Sequence, residues 1–440
     1  MSVSVLSHDE PTFDAKVQAL LDRLHSGRLV AADTAGGSSL DVPKIVHDIL
    51  ERVRTGGDEA AARLASELDR ANVTPKTLRV SEAQIAEAHA SADPEFLSLM
   101  RSVIANITAY QQHILIQAPP LLERNGRKLG VRYTPIERVA VYVPGGQALY
   151  PSTVLMTVVP ARVAGVREIV MVSPPSGGEI NPMALALAKE LGIDEVIRLG
   201  GAVGLAAVAF GTESIRKVDK IVGPGNAFVA EAKRQLFGKV GIDSIAGPSE
   251  VFIVADDSAN PRWLAADMLA QAEHNPGSAV LATPSAELAQ RVQDALGVQL
   301  KDLSRAAVTR PSIENNSAVL VTADLDAACA LANRFATEHL QLLTRENERC
   351  LERIKHAGAI FLGQHSPVPL GDYFAGPSHV LPTGGTARFF SPLSCNDFLK
   401  ASSLIEYDAA SFAEDAPKIA AFAEREGLTA HAESALIRGR

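Results

Sequence analysis

Little cysteine, no basic block and no long apolar run mark this chain, and each shortage removes a class of protein. Its three cysteines, Cys329, Cys350 and Cys395, are widely spaced and odd in number, with no CxxC pair. That argues against a disulfide frame or a cysteine zinc site and for reduced thiols. Net charge is −9 and lysine and arginine are dispersed, so neither nucleic acid nor an anionic membrane is expected as a partner. No apolar run approaches the ~18 residues a membrane helix needs. The N-terminus, MSVSVLSHDEPTF, has no basic segment followed by an apolar one, so no signal peptide is expected. Internal repeats and low-complexity tracts are also missing. The expectation is a soluble, cytoplasmic protein.

What is present is a globular composition, 47% hydrophobic over 440 residues. That length exceeds one ordinary core and implies two or more domains of roughly 100–200 residues each. Near the N-terminus a helical extension (13–24) ends at Gly27, followed by a loop through Gly36 and Gly37. An amphipathic helical pattern from Val42 to Arg70 is interrupted at Gly56 and Gly57. Leu78 and Val80 suggest a short strand, and Ser81 with Gln84 resembles a capping box. A long helix is expected over 94–116, with Phe96, Leu99, Val103, Ile107 and Tyr110 on its apolar face. Residues 119–135 read as loops and a hairpin.

From Arg138 strands alternate with helices: strands at 138–143, 168–172, 195–199 and 218–222, with helices between. That rhythm implies parallel βαβ units with helices on both sheet faces. Glycine-bearing turns at 144–146, 200–201 and 223–226 fall where strands end and helices begin, an edge that favours ligands and phosphates. None is GxGxxG, so turn geometry alone also accounts for them. Residues 250–255 read as a buried strand. Asn260 and Pro261 open a helix that stops near His274, before Asn275-Pro276-Gly277. Further helices are expected over 279–300 and 324–336, and strands near 318–322, 340–343 and 359–362. A Gly- and Pro-rich run then carries Asp372, Tyr373 and His379, and its length points to function.

Several of these residues could carry chemistry. Gln271 and His274, three apart, project from one face of a helix's last turn, although a helix-terminal His also suits the dipole there. Thr337-Glu338-His339 sets a carboxylate beside an imidazole, both able to move protons near neutral pH. Adjacent strand residues point to opposite faces, so both serve one site only if the backbone is irregular there. Asp372 and His379 could reach a shared ion or be turn residues, and Glu426 and His431 lie in a terminal segment that would ordinarily be inert. A site of Gln, His, Asp and His without thiolate would suit Zn²⁺ with open positions for substrate.

The runs VYVPGG, KVDKIVGPGNAFVAEAKRQ, AGPSEVFIVAD, DMLAQAEHNPGS, TEHLQL, GDYFAGPSHVLPTGGTARFFSPLS and EGLTAH together resemble the histidinol dehydrogenase family, in that family's order and across nearly the whole chain. The resemblance implies oxidation of L-histidinol to L-histidine in two NAD⁺-dependent steps, the last of histidine biosynthesis. It implies one Zn²⁺ per subunit on Gln271, His274, Asp372 and His431, holding substrate nitrogens. His339 would be the base, and Glu338 would activate water on the aldehyde. Ser249, His379 and Glu426 would join His339 and the zinc ligands in contacting substrate, while Tyr142 and Asn226 would contact NAD⁺. It further implies a homodimer whose C-terminal arms exchange, so that Glu426 and His431 act in the partner's site.

The implied fold is α/β: two Rossmann-like domains with parallel sheets, the smaller inserted in the larger, plus N- and C-terminal dimerisation arms. Its expected divisions are an arm over 1–34, the larger domain over 35–141 and 249–393, the NAD-binding insert over 142–248, and an arm over 394–440. Two positions depart from the family's pattern. Val203 replaces a usual Gln that contacts the cofactor, a loss on the order of 0.5–1.5 kcal/mol if uncompensated, and Ser378 replaces a common Asn. Competing expectations are a related dehydrogenase acting on another small alcohol, a zinc hydrolase using Glu338, and a non-catalytic nucleotide-binding scaffold.

Overall fold

The computed structural model describes residues 3–26, 29, 40–70, 72–145, 151–176, 178–193 and 195–438. The turns expected at Gly27, at Gly36 and Gly37, and at Gly146 lie outside them.

The alternating pattern after Arg138 forms a five-stranded sheet, every neighbouring pair parallel, in the order Glu195–Ile197, Glu168–Val172, Arg138–Tyr142, Lys220–Val222, Gly241–Ile242. Both faces are covered, as parallel sheets require. Ala140, Tyr142, Val170, Val172 and Ile221 pack against helices Val42–Asp69, Gly201–Phe210 and Ala227–Leu236. The alternate residues Val139, Val141, Ile169, Met171 and Val222 face the other way, onto helices including Pro94–Ile114 and Pro151–Ala164. The strand order reverses between Arg138–Tyr142 and Lys220–Val222, and the crevice beyond the carboxyl ends of that pair is where such sheets bind ligands.

A second parallel sheet has six strands: Ser4–Ser7, Ala318–Val321, Gly277–Thr283, Ser249–Ala255, His339–Leu343, Ala359–Leu362. Its faces divide by the same alternation. Val251, Ile253, Leu281 and Leu343 meet helices Pro261–Ala272 and Ala286–Asp302. Phe252, Val254, Val280, Leu340 and Leu342 meet helices Phe13–His25 and Leu325–Phe335. A three-stranded antiparallel sheet of Leu399–Tyr407, Arg127–Pro135 and Leu122–Arg124 completes the set. Two C-terminal helices follow, Ala409–Arg425 and Thr429–Leu436. No described helix is long and apolar enough to cross a membrane.

Local signals held where a cap or glycine dictates geometry. Val42–Asp69 is kinked at Gly57, whose φ of 53° is left-handed, and Ser81 and Gln84 form the capping box. Four expectations are corrected. Leu78 and Val80 form no strand; a 3-10 turn at Pro75–Thr77 precedes a lone bridge from Arg79 to Ile197. In Pro94–Ile114 the buried face is Leu97, Val103, Ile107 and Gln111, while Leu99 and Tyr110 are exposed. The assignment of 35–141 to the larger domain does not follow the packing, because Val46, Leu50, Val53, Leu64, Ile85, Val103 and Ile107 bury themselves on the five-stranded sheet. Finally, the helix expected from 279 begins only at Ala286, because Gly277–Thr283 is a strand of the six-stranded sheet; beside it Ser4–Ser7 is an edge strand of that sheet, and Val17 and Leu21 fill its core.

Candidate active site

The cleft is built from loop ends belonging to both parallel sheets. Residues 374–397 carry the contact. Ser378 Oγ donates to the Met156 carbonyl at 3.0 Å, His379 Nε2 lies 3.4 Å from Thr153 Oγ1, and Lys220 Nζ donates to the Asp397 carbonyl at 2.6 Å. The edges involved differ. The five-stranded sheet offers its carboxyl ends, the usual place. The six-stranded sheet offers its amino ends, since Ser249 and His339 are the first residues of their strands.

Glu338 and His339 share one site because the backbone is irregular before the strand. Helix Leu325–Phe335 ends on Ala336 in the left-handed conformation (φ 48°), and Glu338 stands in the turn before the ladder begins. Both side chains are buried. His339 Nδ1 lies 3.3 Å from the carbonyl oxygen of Glu250 and 3.5 Å from Glu338 Oε2. A carbonyl can only accept, so Nδ1 carries the proton and Nε2 is the basic nitrogen. That Nε2 is buried with no hydrogen-bond partner, and Asp372 Oδ1 lies 3.5 Å away.

The electrostatics follow from burial among like and unlike charges. Burial opposes the charge on His339, but the Glu338 and Asp372 carboxylates outweigh it and push its pKa up to about 9. Burial raises Glu338 to about 7 against the pull of His339 and of hydrogen bonds from the Glu250 backbone and Ser249. Asp372 resists the effect of its own burial: the nearby His339 ring, aided by His379 and His274, holds it below the usual carboxylate range. Burial lowers His379, whose Nδ1 lies 3.1 Å from the Asp372 carbonyl oxygen.

Helix Pro261–Ala272 ends here. Gln271 is buried with its amide nitrogen unpartnered. His274 is open to solvent on its cleft side, yet the protein around it lowers its pKa, chiefly by desolvation, with His339 adding to that and Asp372 opposing. Both facts fit a ring with dense protein behind it and the cleft before it.

Ser249, Gln271, His274, Glu338, His339, Asp372 and His379 thus gather at one place. Glu426 and His431 do not join them within one chain. They are exposed in the C-terminal helical pair, which is tied to the hairpin by Arg127 donating to Asp415 at 2.7 Å. The charges acting on His274, His339, Asp372 and His379 come from one another, Glu338, Glu273 and Arg305. Among the described residues no three His, Cys, Asp or Glu side chains form a metal cage. The groups on this side of the site, the His274 imidazole and the Asp372 carboxylate with the Gln271 amide oxygen at the same helix end, are the kinds that bind Zn²⁺ through nitrogen and oxygen. With a fourth donor from outside the chain, this set fits the ion.

At the crevice of the five-stranded sheet, the Tyr142 hydroxyl accepts from the Gly201 N–H at 3.0 Å, and burial pushes its pKa up to about 12. Asn226 caps Ala227–Leu236 with its carbonyl oxygen, at 3.0 Å from the Phe228 N–H. Its side-chain NH₂ remains for a ligand. Gly223 (φ 115°) lets this turn close on its neighbour, since a Cβ there would lie 2.3 Å from the Tyr142 carbonyl oxygen. The turn is held by Lys233, whose buried Nζ donates to the Gly223 carbonyl at 2.5 Å and to Asp243 at 2.6 Å. Val203 is buried in the core beneath Gly201–Phe210, so apolar packing takes the place of a polar contact. Ser378 is spent on the Met156 carbonyl and the Val380 N–H.

Glu250 was not singled out by sequence reasoning, which took it only as the start of an apolar strand. Its signal was a lone carboxylate heading the run VFIVA, a place where a buried charge needs a reason.

Comparison with known proteins agrees with this fold. The sequence profile of the histidinol dehydrogenase family matches residues 34–439. A histidinol dehydrogenase from Rhodopirellula baltica is 49% identical over 91% of this chain and 88% of its own. One from Listeria monocytogenes is 45% identical over 93% and 96%. The crystal structure of histidinol dehydrogenase from Elizabethkingia anophelis superposes with a TM-score of 0.90 at 31% identity, covering 99% of this chain and 98% of that one. Fold and site together are those of an α/β oxidoreductase. The chain belongs to the histidinol dehydrogenase family.

Proposed function

We propose that this chain oxidises L-histidinol through the aldehyde to L-histidine, the closing step of histidine biosynthesis, with Zn²⁺ and NAD⁺, in the cytoplasm and as a homodimer. The observation that carries the reading is the buried Glu338–His339 pair beside Asp372, with Nε2 of His339 unpartnered. The names of relatives up to 49% identical support the substrate.

Gln271, His274 and Asp372, with His431 of a second copy, would hold the metal. Ser249, His379 and Glu426 would line the substrate, and Tyr142 and Asn226 the cofactor. When bound, zinc fixes the imidazole and amino nitrogens of the substrate, and nicotinamide accepts hydride. His339 Nε2 takes the proton of the alcohol as hydride leaves its carbon, and its anchored Nδ1 fixes the ring's aim. A cation held at Asp372 would offset the carboxylate that raises this imidazole, easing it toward the neutral form a base needs. Glu338 then takes a proton from water adding to the aldehyde carbon. Once His339 has passed its first proton to solvent and a second NAD⁺ has replaced NADH, the hydrated aldehyde would give a proton to His339 and its hydride to that NAD⁺, leaving the acid. Burial around both groups excludes bulk water from these transfers. The division into a dinucleotide-binding portion and a zinc-bearing portion with exchanged arms belongs to the same proposal.

The deciding experiment adds L-histidinol and NAD⁺ to the purified, zinc-loaded protein. Two NADH per histidinol are expected, with histidine as product; no NADH would end the reading. Metal content gives a separate check. His274→Asn is expected to leave zinc well below stoichiometric by elemental analysis, with the melting curve of the metal-free protein unchanged. Full retention of zinc would remove His274 from the ligand set.

A further inference from the structure

Glu250 sits at the centre of the catalytic cluster, yet the chemistry above gives it no task. It is 3% exposed, and among the described residues no lysine or arginine forms an ion pair with it. Its Oε1 accepts from the Gly384 N–H at 2.8 Å and from the Glu338 N–H at 3.3 Å. In return its own N–H donates to Glu338 Oε2 at 3.1 Å, and its carbonyl oxygen lies 3.3 Å from His339 Nδ1. One residue therefore touches the carboxylate and backbone of Glu338, the ring of His339, and the glycine turn at 384.

A residue kept only to fill the strand would be apolar, like Val251 and Phe252 beside it. Burying a carboxyl without a cation is costly, and here the carboxyl joins the backbone of Glu338 to that of the glycine turn at 384. We propose that Glu250 is a positioning residue whose carboxyl ties the Glu338 backbone to the turn at 384, clamping Glu338 for water activation, while the Glu250 backbone, which any residue would keep, meets the Glu338 carboxylate and the His339 ring. The proposal rests on the assignment of Glu338 and His339 above. Burial and the neighbouring Glu338 push its pKa up to about 8, so near neutrality it is mainly the uncharged acid. In that form it holds Glu338 without setting a second negative charge beside it. A glutamine amide keeps the accepting oxygen and the neutrality, so Gln is the conservative replacement and Ala the disruptive one.

The test compares full-length wild type, Glu250→Gln and Glu250→Ala in steady-state oxidation of L-histidinol with NAD⁺, alongside a crystal structure of each. Glu250→Gln is expected to keep kcat within a few-fold and leave Glu338 in place. Glu250→Ala should lose kcat on the order of 10²-fold, with KM for both substrates little changed and with Glu338 and the turn at 384 displaced. An unchanged kcat in Glu250→Ala, a loss confined to KM, or a Gln variant as poor as the Ala variant would overturn the clamp. If Glu250→Ala does not fold, Glu250→Gln decides alone: a displaced Glu338 or a lost kcat refutes the proposal. Wild type without turnover would defeat the assigned reaction instead. The crystal structures would then still judge the clamp, which fails if Glu338 and Gly384 stay in place in Glu250→Ala.

Discussion

Replacing His339 by alanine should lower kcat with L-histidinol and NAD⁺ by about 10²–10⁴-fold, the usual contribution of a positioned general base. The expectation follows from the ring's two nitrogens. Nδ1 is committed to the Glu250 carbonyl oxygen at 3.3 Å, and Nε2 is buried with no hydrogen-bond partner. A buried ring nitrogen without a hydrogen-bond partner is unfavourable unless something arrives to use it, and a substrate hydroxyl in the cleft is such a group. Neighbouring carboxylates cannot take over. Asp372 is held low by its imidazole neighbours and is a poor base, and Glu338 is engaged with the Glu250 N–H at 3.1 Å. Zinc content and melting temperature should stay near wild type, since His339 is outside the proposed ligand set. A rate within tenfold of wild type would move the base elsewhere; loss of zinc together with rate would make His339 a ligand.

Much of this arrangement was legible in the sequence because short-range physics fixes it. Asn260 and Pro261 start a helix, the Asn275-Pro276-Gly277 run stops it, and Gln271 and His274 are thereby left at its end. Unbroken apolar runs within 138–142 and 249–255 report two-sided burial, hence parallel sheets. What stayed hidden depends on long-range pairing. The residues of Ser4–Ser7 look like an ordinary terminus until Ala318–Val321 supplies a ladder for them. Apolar stripes on Val42–Asp69 and Pro94–Ile114 say that these helices are covered, not by which sheet. Leu99 and Tyr110 fit the helical period yet lie outside the buried arc, because the period alone does not set where an arc begins.

The site was legible in the same uneven way. A carboxylate next to an imidazole at 338–339 was visible, and so was the condition that the backbone bend there; Ala336 in the left-handed conformation meets it. The rule that ligands gather at strand carboxyl ends serves the five-stranded sheet and fails for the six-stranded one, where Ser249 and His339 are strand starts. That inversion arises because Ser378 and His379 reach helix Pro151–Ala164, which follows the carboxyl edge of the five-stranded sheet, while Gly384 meets Glu250 at the amino edge of the six-stranded one. Glu250 escaped notice since its partners, Glu338 and Gly384, are 88 and 134 residues away.

The second large effect concerns subunits rather than side chains. Mixing a His339→Ala protein with a His431→Ala protein, after reversible dissociation, should restore activity that neither has alone. Within one chain the C-terminal helices stand apart from the cleft, with Phe422, Leu428 and Ile437 exposed alongside His431. Such a cluster of apolar groups on a terminal segment is unusual for a surface left to solvent. The cleft in turn sets His274 near Asp372, with Gln271 three residues before it at the same helix end, and among the described residues no three His, Cys, Asp or Glu side chains form a metal cage. If the arms exchange, a mixed dimer owns one site with both lesions and one with neither. Random reassociation at equal amounts makes half the dimers mixed, so about a quarter of wild-type activity should return, as expected for reciprocal exchange across a two-fold axis. Zinc should not recover in the same way: His339→Ala homodimers keep both ions, mixed dimers one and His431→Ala homodimers none, so about half the sites hold zinc before and after mixing. A mixture as inactive as its components, with mixed dimers demonstrated by mass spectrometry, would mean that each chain completes its own site. In that case His431 would have to reach Asp372 by folding back over its own cleft.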